Sequence, residues 1–277
     1  MIGLPPLNLF SLHNPFAILP DALVDMHSRT APAARVQWNE NYELEDKPIL
    51  TVEDGIGSVS ITGPLMRKPS LFAQVVYGAT DFDEIVASLE NAANDPGVRA
   101  ILLEIDSPGG TVNGTPEVAQ AVREAARVKP VYAFTQGLMA SAAYWIGSQA
   151  DAVYATPSAM LGSIGVIVSF LDVRGALEGM GYKMEVFSSG KFKGMGLPGT
   201  SLTDEQREHI QARIEETANE FKAAVRARGR KIPDEAMEGQ VFYAREAQKY
   251  NLAGTVKNRA EVVARLSALA RSGRRAA

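Results

Sequence analysis

Apolar and polar residues alternate along most of the chain in patterns that predict buried strands followed by amphipathic helices. Continuous apolar runs predict strands, and apolar residues three and four positions apart predict helices. The predicted strands are residues 49–52, 57–63, 98–105, 131–134, 152–154, 164–168 and 184–187. The predicted helices are residues 81–93, 116–128, 172–180 and 203–229, one that opens at Ala140, and short ones from Ala244 and Ala260. This order of strands and helices favours an α/β fold with right-handed crossovers.

Several residue patterns define the ends and buried faces of these elements. Thr80, with Asp83 three positions later, predicts the start of the helix 81–93. Thr203 and Gln206 form a capping-box pattern at the start of the long helix. The predicted buried face of that helix consists of Ile210, Ile214, Ala218 and Phe221. Residues 98–105 are apolar enough to be covered on both faces, which predicts a strand inside a parallel sheet.

The chain divides into an N-terminal extension and one domain. Residues 1–45 are rich in proline and contain too little regular apolar pattern to form a domain, so we expect them to pack on the body or on a neighbouring chain. Residues 46–277 carry the alternating pattern and are predicted to form a single domain.

Composition and charge exclude some classes of function. The 277 residues are 46% hydrophobic and 22% charged, and the net charge of −4 comes without an internal basic block, so no nucleic-acid surface is indicated. The absence of cysteine excludes disulfides, thiolate metal sites and a cysteine nucleophile. No export signal is visible at the N-terminus. Glycines interrupt the apolar stretch 131–171 too often for a membrane-spanning helix.

Ser141 is the first candidate for chemistry because it lies where a predicted buried strand turns into a helix. The positive end of a helix dipole and the free backbone N–H groups there would stabilise an alkoxide or the oxyanion that it generates. The alternative is that Ser141 only caps the helix, which is the commoner role of a serine at such a position.

A serine nucleophile needs a general base, and the chain offers histidines and lysines. Two histidines, His13 and His27, lie in the proline-rich extension, and His209 lies on the long helix, so a Ser-His-Asp triad is disfavoured. Lys191 and Lys193 follow an apolar run within a glycine-rich turn. A lysine can act as a base only when burial lowers its pKa from about 10.4, and most lysines in turns are solvated. Spacing alone does not choose between the two.

Acyl transfer also needs donors for an oxyanion. The pair Gly109-Gly110 follows a buried strand, where backbone N–H groups can approach a carbonyl closely, although such a pair is often only a turn. The N–H of Ala142, which follows Ser141, is a second candidate donor.

Four motifs together resemble the signal peptide peptidase A family, the Ser-Lys peptidases of the ClpP/crotonase fold. The resemblance covers roughly residues 50 to 265, and residues 239–243 and 251–254 resemble the C-terminal signature of that family. The motifs are Asp106-Ser107-Pro108-Gly109-Gly110, Met139-Ala140-Ser141-Ala142-Ala143-Tyr144-Trp145, Gly162-Ser163-Ile164-Gly165-Val166 and Gly190-Lys191-Phe192-Lys193.

The resemblance implies a role for each matching residue. Ser141 would be the nucleophile and Lys193, the lysine after the aromatic residue, the general base. Gly110 and Ala142 would donate to the oxyanion, and the hydroxyl of Ser163 would orient the lysine amine, although Ser163 could equally be a turn residue. The implied fold is a spiral of ββα units with a parallel sheet and flanking helices, and the implied chemistry uses no cofactor and no metal.

The resemblance also implies the partners. Members of the family form homo-oligomers with active sites near subunit contacts, where the lysine can come from a neighbouring chain. The segment 14–20 and the lack of a membrane anchor are more similar to the phage and prophage branch, the head-maturation peptidases. This branch implies capsid or portal proteins as partners and a place in the host cytoplasm or the procapsid.

Other functions stay open at this point. The chain could be a cellular peptidase that degrades signal peptides, a crotonase-like acyl-CoA enzyme, or a non-catalytic capsid scaffold.

Overall fold

The structure is a computed structural model that describes residues 15–18, 20, 22 and 48–272. The predicted extension, residues 1–45, therefore lies outside the described residues except for residues 15, 20 and 22 and a short strand, β1 (Phe16–Ile18). The division of the chain into an extension and one domain stays a prediction.

Five of the six strands in the largest sheet of the described part of the chain are predicted apolar strands, and the sixth, Gly254–Thr255, was not predicted. Its strands, in spatial order, are β13 (Gly254–Thr255), β10 (Ala152–Ala155), β8 (Val131–Thr135), β6 (Ala100–Asp106), β3 (Ile56–Thr62) and β2 (Leu50–Glu53). Neighbouring strands are parallel except for β2, which runs antiparallel to β3.

Short strands continue beyond the sheet and form two smaller sheets in the described part. One has the order β1, β7 (Gly109–Thr111), β4 (Leu65–Met66) and β5 (Thr80–Asp81). The other has the order β12 (Val241–Tyr243), β11 (Met160–Gly162) and β9 (Leu138–Ala140).

Helices follow these pairs of strands. They are α1 (Leu71–Tyr77), α2 (Phe82–Asn94), α3 (Thr115–Val128), α4 (Ala142–Gly147), α5 (Arg174–Gly179), α6 (Asp204–Arg226), α7 (Ala244–Lys249) and α8 (Arg259–Arg271), with a 3-10 turn at Asp234–Ala236. The chain passes from β6 through β7 to α3, and from β8 through β9 to α4. This repeat confirms the predicted α/β spiral of ββα units with a parallel sheet and flanking helices.

The main sheet is covered on both faces, as the apolar composition of residues 98–105 predicts. Leu103 belongs to the cluster on one face with residues of α2 and α3, and Leu102 belongs to the cluster on the other face with Val262 and Leu266 of α8. Because an apolar cluster covers each face of β6, the position of this strand is fixed, and so is that of the turn that follows it.

Two of the predicted strands are wrong. Residues 184–187 form no strand, and their apolar side chains are exposed, with Phe187 at 93%. Residues 164–168 form no strand of their own and make one isolated bridge, from Ile167 to Phe16. An apolar run predicts a strand that is buried by pairing with its neighbours, and neither of these two runs pairs with a strand of the main sheet.

The N-cap of α2 and the buried face of α6 differ from the prediction, whereas the start of α6 agrees with it. The N-cap of α2 is Asp81, whose side chain accepts the N–H of Asp83, while Thr80 lies in β5 and donates to the Thr62 carbonyl at 2.6 Å. The capping box of Thr203 and Gln206 is present at the start of α6. On α6, Phe221 is fully buried, but Ile210, Ile214 and Ala218 are only half-buried, since Ile214 and Ala218 line an open cavity.

Candidate active site

Ser141 lies between β9 and α4, at the strand-to-helix turn that the sequence predicts. Its φ of 54° and ψ of −122° lie in a region that residues other than glycine rarely adopt. Two hydrogen bonds hold this conformation, one from the Ser141 N–H to the Gly162 carbonyl at 2.8 Å and one from the Trp145 N–H to the Ser141 carbonyl at 2.8 Å. Backbone strain of this kind costs about 1–3 kcal/mol and concentrates at functional sites.

The hydroxyl of Ser141 is buried but unpaired. Its residue is 1% exposed, and its Oγ has no hydrogen-bond partner among the described residues. The side chain also forms no capping bond to α4, so the interpretation of Ser141 as a helix cap is not supported. Buried hydroxyl groups are almost always hydrogen-bonded, so the Ser141 hydroxyl is unusual in having no partner among the described residues.

Helix α4 is rigidly anchored behind Ser141. The indole ring of Trp145 stacks on Phe221 of α6 with ring centres 4.5 Å apart. The Tyr144 hydroxyl donates to the Leu252 carbonyl at 2.9 Å, and burial raises the pKa of this hydroxyl above its usual range. Both rings therefore keep the turn at Ser141 in place.

The turn after β6 lies directly against Ser141. Gly109 has a φ of +99°, and a Cβ at this position would stand 2.9 Å from the Cβ of Ser141. A Cβ on Gly110 would stand 1.7 Å from the Leu65 carbonyl oxygen. The close approach to Ser141 and to β4 therefore requires glycine at both positions.

Ser107 and Asp106 hold this turn, although the sequence assigns no role to either. The Ser107 hydroxyl donates to the Gly63 carbonyl at 2.6 Å and accepts the N–H of Gly109 at 3.1 Å. The Asp106 carboxylate accepts the N–H of Leu138 at 3.0 Å, which ties the turn to the start of β9. An Asp-Ser pair before a glycine turn is typical of side-chain-to-backbone hydrogen bonds, so this motif is the sequence signal for the roles of Asp106 and Ser107.

Ala142 and Ser163, two other predicted site residues, lie next to Ser141. Ala142 is the first residue of α4, where a backbone N–H has no acceptor within the helix. Gly162 pairs with Ala140 in the parallel register of β11 and β9. Ser163 and Ser141, the next residues after this pair, therefore lie next to each other. Ser163 is 5% exposed and has a φ of 50°.

Lys193, the predicted base, does not reach Ser141 within one chain. Lys193 lies exposed in a run of turns, and no hydrogen bond joins its amine to the Ser141 hydroxyl. The neighbouring Lys191 forms an ion pair with Glu205 and accepts the Gln206 amide at its backbone carbonyl. Lys193 has no ion pair among the residues that the structure describes.

The segment that carries Lys193 exposes large apolar side chains, and we call residues 168–200 the apolar arm. These side chains are Leu171, Met180, Tyr182, Met184, Val186, Phe187 and Leu197. Contiguous exposed apolar surface of this kind is typical of an interaction site.

The histidines supply no base at this site in the described part of the chain. His209 lies exposed on α6, where its ring contacts Phe192 at a centre distance of 4.7 Å. His13 and His27 lie outside the described residues. Among the described residues, no helix is long and apolar enough to cross a membrane.

A sequence model of peptidase family S49 matches residues 123–272. The capsid assembly protease C of Escherichia phage lambda is 34% identical over 176 residues, which are 64% of this chain and 40% of that protein. The head-tail preconnector protein GP5 of Enterobacteria phage P21 is 31% identical over 197 residues, which are 70% of this chain and 39% of that protein. The chain thus spans about two fifths of the length of these viral relatives.

Among solved structures, an enoyl-CoA hydratase from Mycobacterium avium subsp. paratuberculosis K-10 superposes with a TM-score of 0.45 at 20% identity. This superposition covers 82% of this chain and 76% of that one.

Proposed function

The chain belongs to peptidase family S49, and from that premise we propose that it is a serine endopeptidase with Ser141 as nucleophile and Lys193 as general base. One observation carries the proposal: the Ser141 hydroxyl is buried and has no hydrogen-bond partner among the described residues, beside a glycine turn that a Cβ would block. A purely structural serine would be paired with a neighbour.

In the proposed reaction, the Ser141 oxygen attacks the carbonyl carbon of a peptide bond while the Lys193 amine takes its proton. The N–H groups of Gly110 and Ala142 donate to the oxyanion that forms. The peptide C–N bond then breaks, the proton passes from Lys193 to the leaving amine, and water hydrolyses the ester on Ser141. The Ser163 hydroxyl, beside Ser141 along the sheet, would orient the amine.

We propose that Lys193 acts on Ser141 of a neighbouring copy of the chain. The Ser141 hydroxyl has no hydrogen-bond partner among the described residues of its own chain, while Lys193 lies exposed on the apolar arm. Burying the arm against a second copy would remove exposed residues such as Phe187 and Tyr182 from water. The same contact would desolvate a lysine on the arm, and this is the change that a lysine needs to act as a base.

For the substrate, we propose capsid or portal proteins of the phage or prophage that encodes the chain. The support is the two viral relatives, whose names refer to capsid assembly and to the head-tail connection. An endopeptidase of this kind would act where these proteins assemble, in the host cytoplasm or in the procapsid.

The test is to incubate the purified chain with the capsid and portal proteins encoded beside it and to identify new chain ends by mass spectrometry. The Ser141→Ala chain is the matched control. New ends that appear only with the native chain support the proposal. Cleavage of an unrelated unfolded protein without any cut in the capsid or portal proteins would retain the peptidase and reject the substrate.

Two other functions give different results in companion measurements. Binding of an acyl-CoA thioester in calorimetry, with no cut in any protein, would favour a crotonase-like enzyme. A non-catalytic scaffold would assemble with capsid proteins, bind no thioester and cut nothing.

A further inference from the structure

The short strand β1 lies next to the candidate active site and is bonded on both edges. On one edge it pairs antiparallel with β7, with Ala17 opposite Gly110 and Ile18 opposite Gly109. On the other edge, Phe16 donates its N–H to the Ile167 carbonyl at 2.9 Å and accepts the Ile167 N–H at 2.9 Å. The strand therefore fills a groove between β7 and Ile167, and we call this space the strand groove.

The register of β1 directs one of its carbonyl groups at a predicted oxyanion donor. The Val112 N–H donates to the Pro15 carbonyl at 3.0 Å, so this pair is hydrogen-bonded. Hydrogen-bonded pairs alternate along an antiparallel ladder, and the next such pair is Ala17 with Gly110. The Gly110 N–H therefore faces the Ala17 carbonyl.

The same carbonyl lies beside the nucleophile. The point where a Cβ on Gly109 would stand is 2.2 Å from the Ala17 carbonyl oxygen and 2.9 Å from the Ser141 Cβ. The Ala17 carbonyl oxygen and the Ser141 Cβ can therefore be no farther apart than the sum of these two distances. Ala17 is fully buried, Ile18 is 3% exposed and Ser141 is 1% exposed, so all three lie in the same water-excluded part of the molecule.

We propose that the strand groove is the binding site for an extended peptide substrate and that the chain's own residues Phe16–Ile18 occupy it. The inference rests on the proposed function, because it takes Ser141 as the nucleophile. A substrate must displace β1 and then pairs with β7 in its place. The side chain at the Ala17 position is fully buried in the groove, so an uncharged residue is expected there in a substrate.

The experiment measures peptide binding, which needs no catalysis. A fluorescein-labelled peptide with the sequence of residues 14–20, Asn-Pro-Phe-Ala-Ile-Leu-Pro, is titrated with full-length chains and followed by anisotropy. The chains are the native one, Ala17→Asp, Phe16→Pro and, as matched control, Ala17→Gly. Ala17→Asp places a charge in a buried position, and Phe16→Pro removes the N–H that bonds Ile167. Both changes expel β1 for different physical reasons, whereas glycine still fits.

The expected result is that the Ala17→Asp and Phe16→Pro chains bind the peptide at least about tenfold more tightly than the native and Ala17→Gly chains, because apparent affinity scales with the fraction of open grooves. A peptide that itself carries aspartate in place of alanine is expected not to bind. Equal binding by all four chains, or no binding by any chain while circular dichroism shows them folded, would overturn the inference.

A failure of the strand groove can be distinguished from a failure of the proposed peptidase function. Peptide binding as expected, without any reaction of Ser141 with a fluorophosphonate, would retain the strand groove and reject the peptidase. Reaction of Ser141 at the same rate in the native and Ala17→Asp chains, with equal peptide binding, would retain the peptidase and reject the occupied groove.

Discussion

Gly109 touches Ser141 so closely that a Cβ on the glycine would stand 2.9 Å from the Cβ of the serine. The glycine also has a φ of +99°, which side chains disfavour. We therefore expect Gly109→Ala to lower the free energy of unfolding by about 1–3 kcal/mol and to reduce kcat for peptide cleavage, since the turn must move away from Ser141.

The matched control for this substitution is Gly175→Ala on α5, where nothing lies within 4 Å of the added Cβ. Alanine is the better helix former, so this variant is expected to be as stable as the native chain or up to about 1 kcal/mol more stable. Denaturant unfolding and peptide cleavage measure both effects. Equal behaviour of the two variants would contradict the close contact.

Ser107 is expected to act as a positioning residue for the glycine turn. Ser107→Ala removes the bonds to the Gly63 carbonyl and the Gly109 N–H and leaves both groups unpaired in a buried place, which costs about 1–3 kcal/mol. If Gly110 donates to the oxyanion as proposed, kcat should fall more than KM changes.

Thr217→Ala on α6 is a suitable control, since its hydroxyl makes a similar bond to the Arg213 carbonyl on the exposed side of the helix. A loss of about 0.5 kcal/mol or less, with unchanged kcat, is expected there. If Ser107→Ala loses stability but retains kcat, its role is structural only.

Asp151 is expected to make the stability of the chain depend on pH. Burial raises the pKa of its carboxyl, while the Val131 N–H and the Arg228 guanidinium act in the opposite direction. A raised pKa in the folded state means that the stabilising contribution is present below the ordinary pKa of about 4 and is lost as the pH rises through the folded value.

The comparison with Asp151→Asn isolates this effect, because asparagine does not titrate. The free energy of unfolding of the native chain minus that of Asp151→Asn is expected to decrease as the pH rises above about 4. Urea unfolding at several pH values measures it. An increase over the same range would mean that the ion pair with Arg228 outweighs burial.

Mixing two inactive variants tests whether the nucleophile and the base come from different copies. Ser141→Ala and Lys193→Ala are each expected to lose at least about a thousandfold in kcat/KM. When the two are mixed and allowed to exchange subunits, sites with an intact Ser141 from one copy and an intact Lys193 from another should recover part of the native activity. A mixture that stays as inactive as its components, despite subunit exchange seen by mass spectrometry, would contradict an arrangement across copies.

Local patterns in the sequence predicted the parts of the fold that depend on neighbouring residues. The apolar run at 131–134 and the small residues after Ala140 predicted the turn at Ser141, and Thr203 with Gln206 predicted the start of α6. The short strands β7, β9 and β11 were not predicted, since three residues give too little periodicity to recognise.

The rest of the site depends on contacts between residues far apart in sequence. The approach of Gly109 to Ser141 follows from the register of β6 and β8 in the sheet, which no local pattern encodes. The apolar run at 184–187 predicted a buried strand, but in one chain it is exposed on the apolar arm. A single sequence does not reveal whether such a run is buried by its own chain or by another copy.

Covalent labelling tests whether Lys193 activates the hydroxyl of Ser141. The native, Lys193→Ala and Lys191→Ala chains are treated with a fluorophosphonate, each also with Ala17→Asp so that the strand groove is open, and the modified residue is identified by peptide mapping. We expect one adduct per chain, on Ser141, forming at least about a hundredfold more slowly in Lys193→Ala and at the native rate in Lys191→Ala. An absence of any adduct on Ser141, or equal rates in the Lys193→Ala and native chains, would contradict the activation of Ser141 by Lys193.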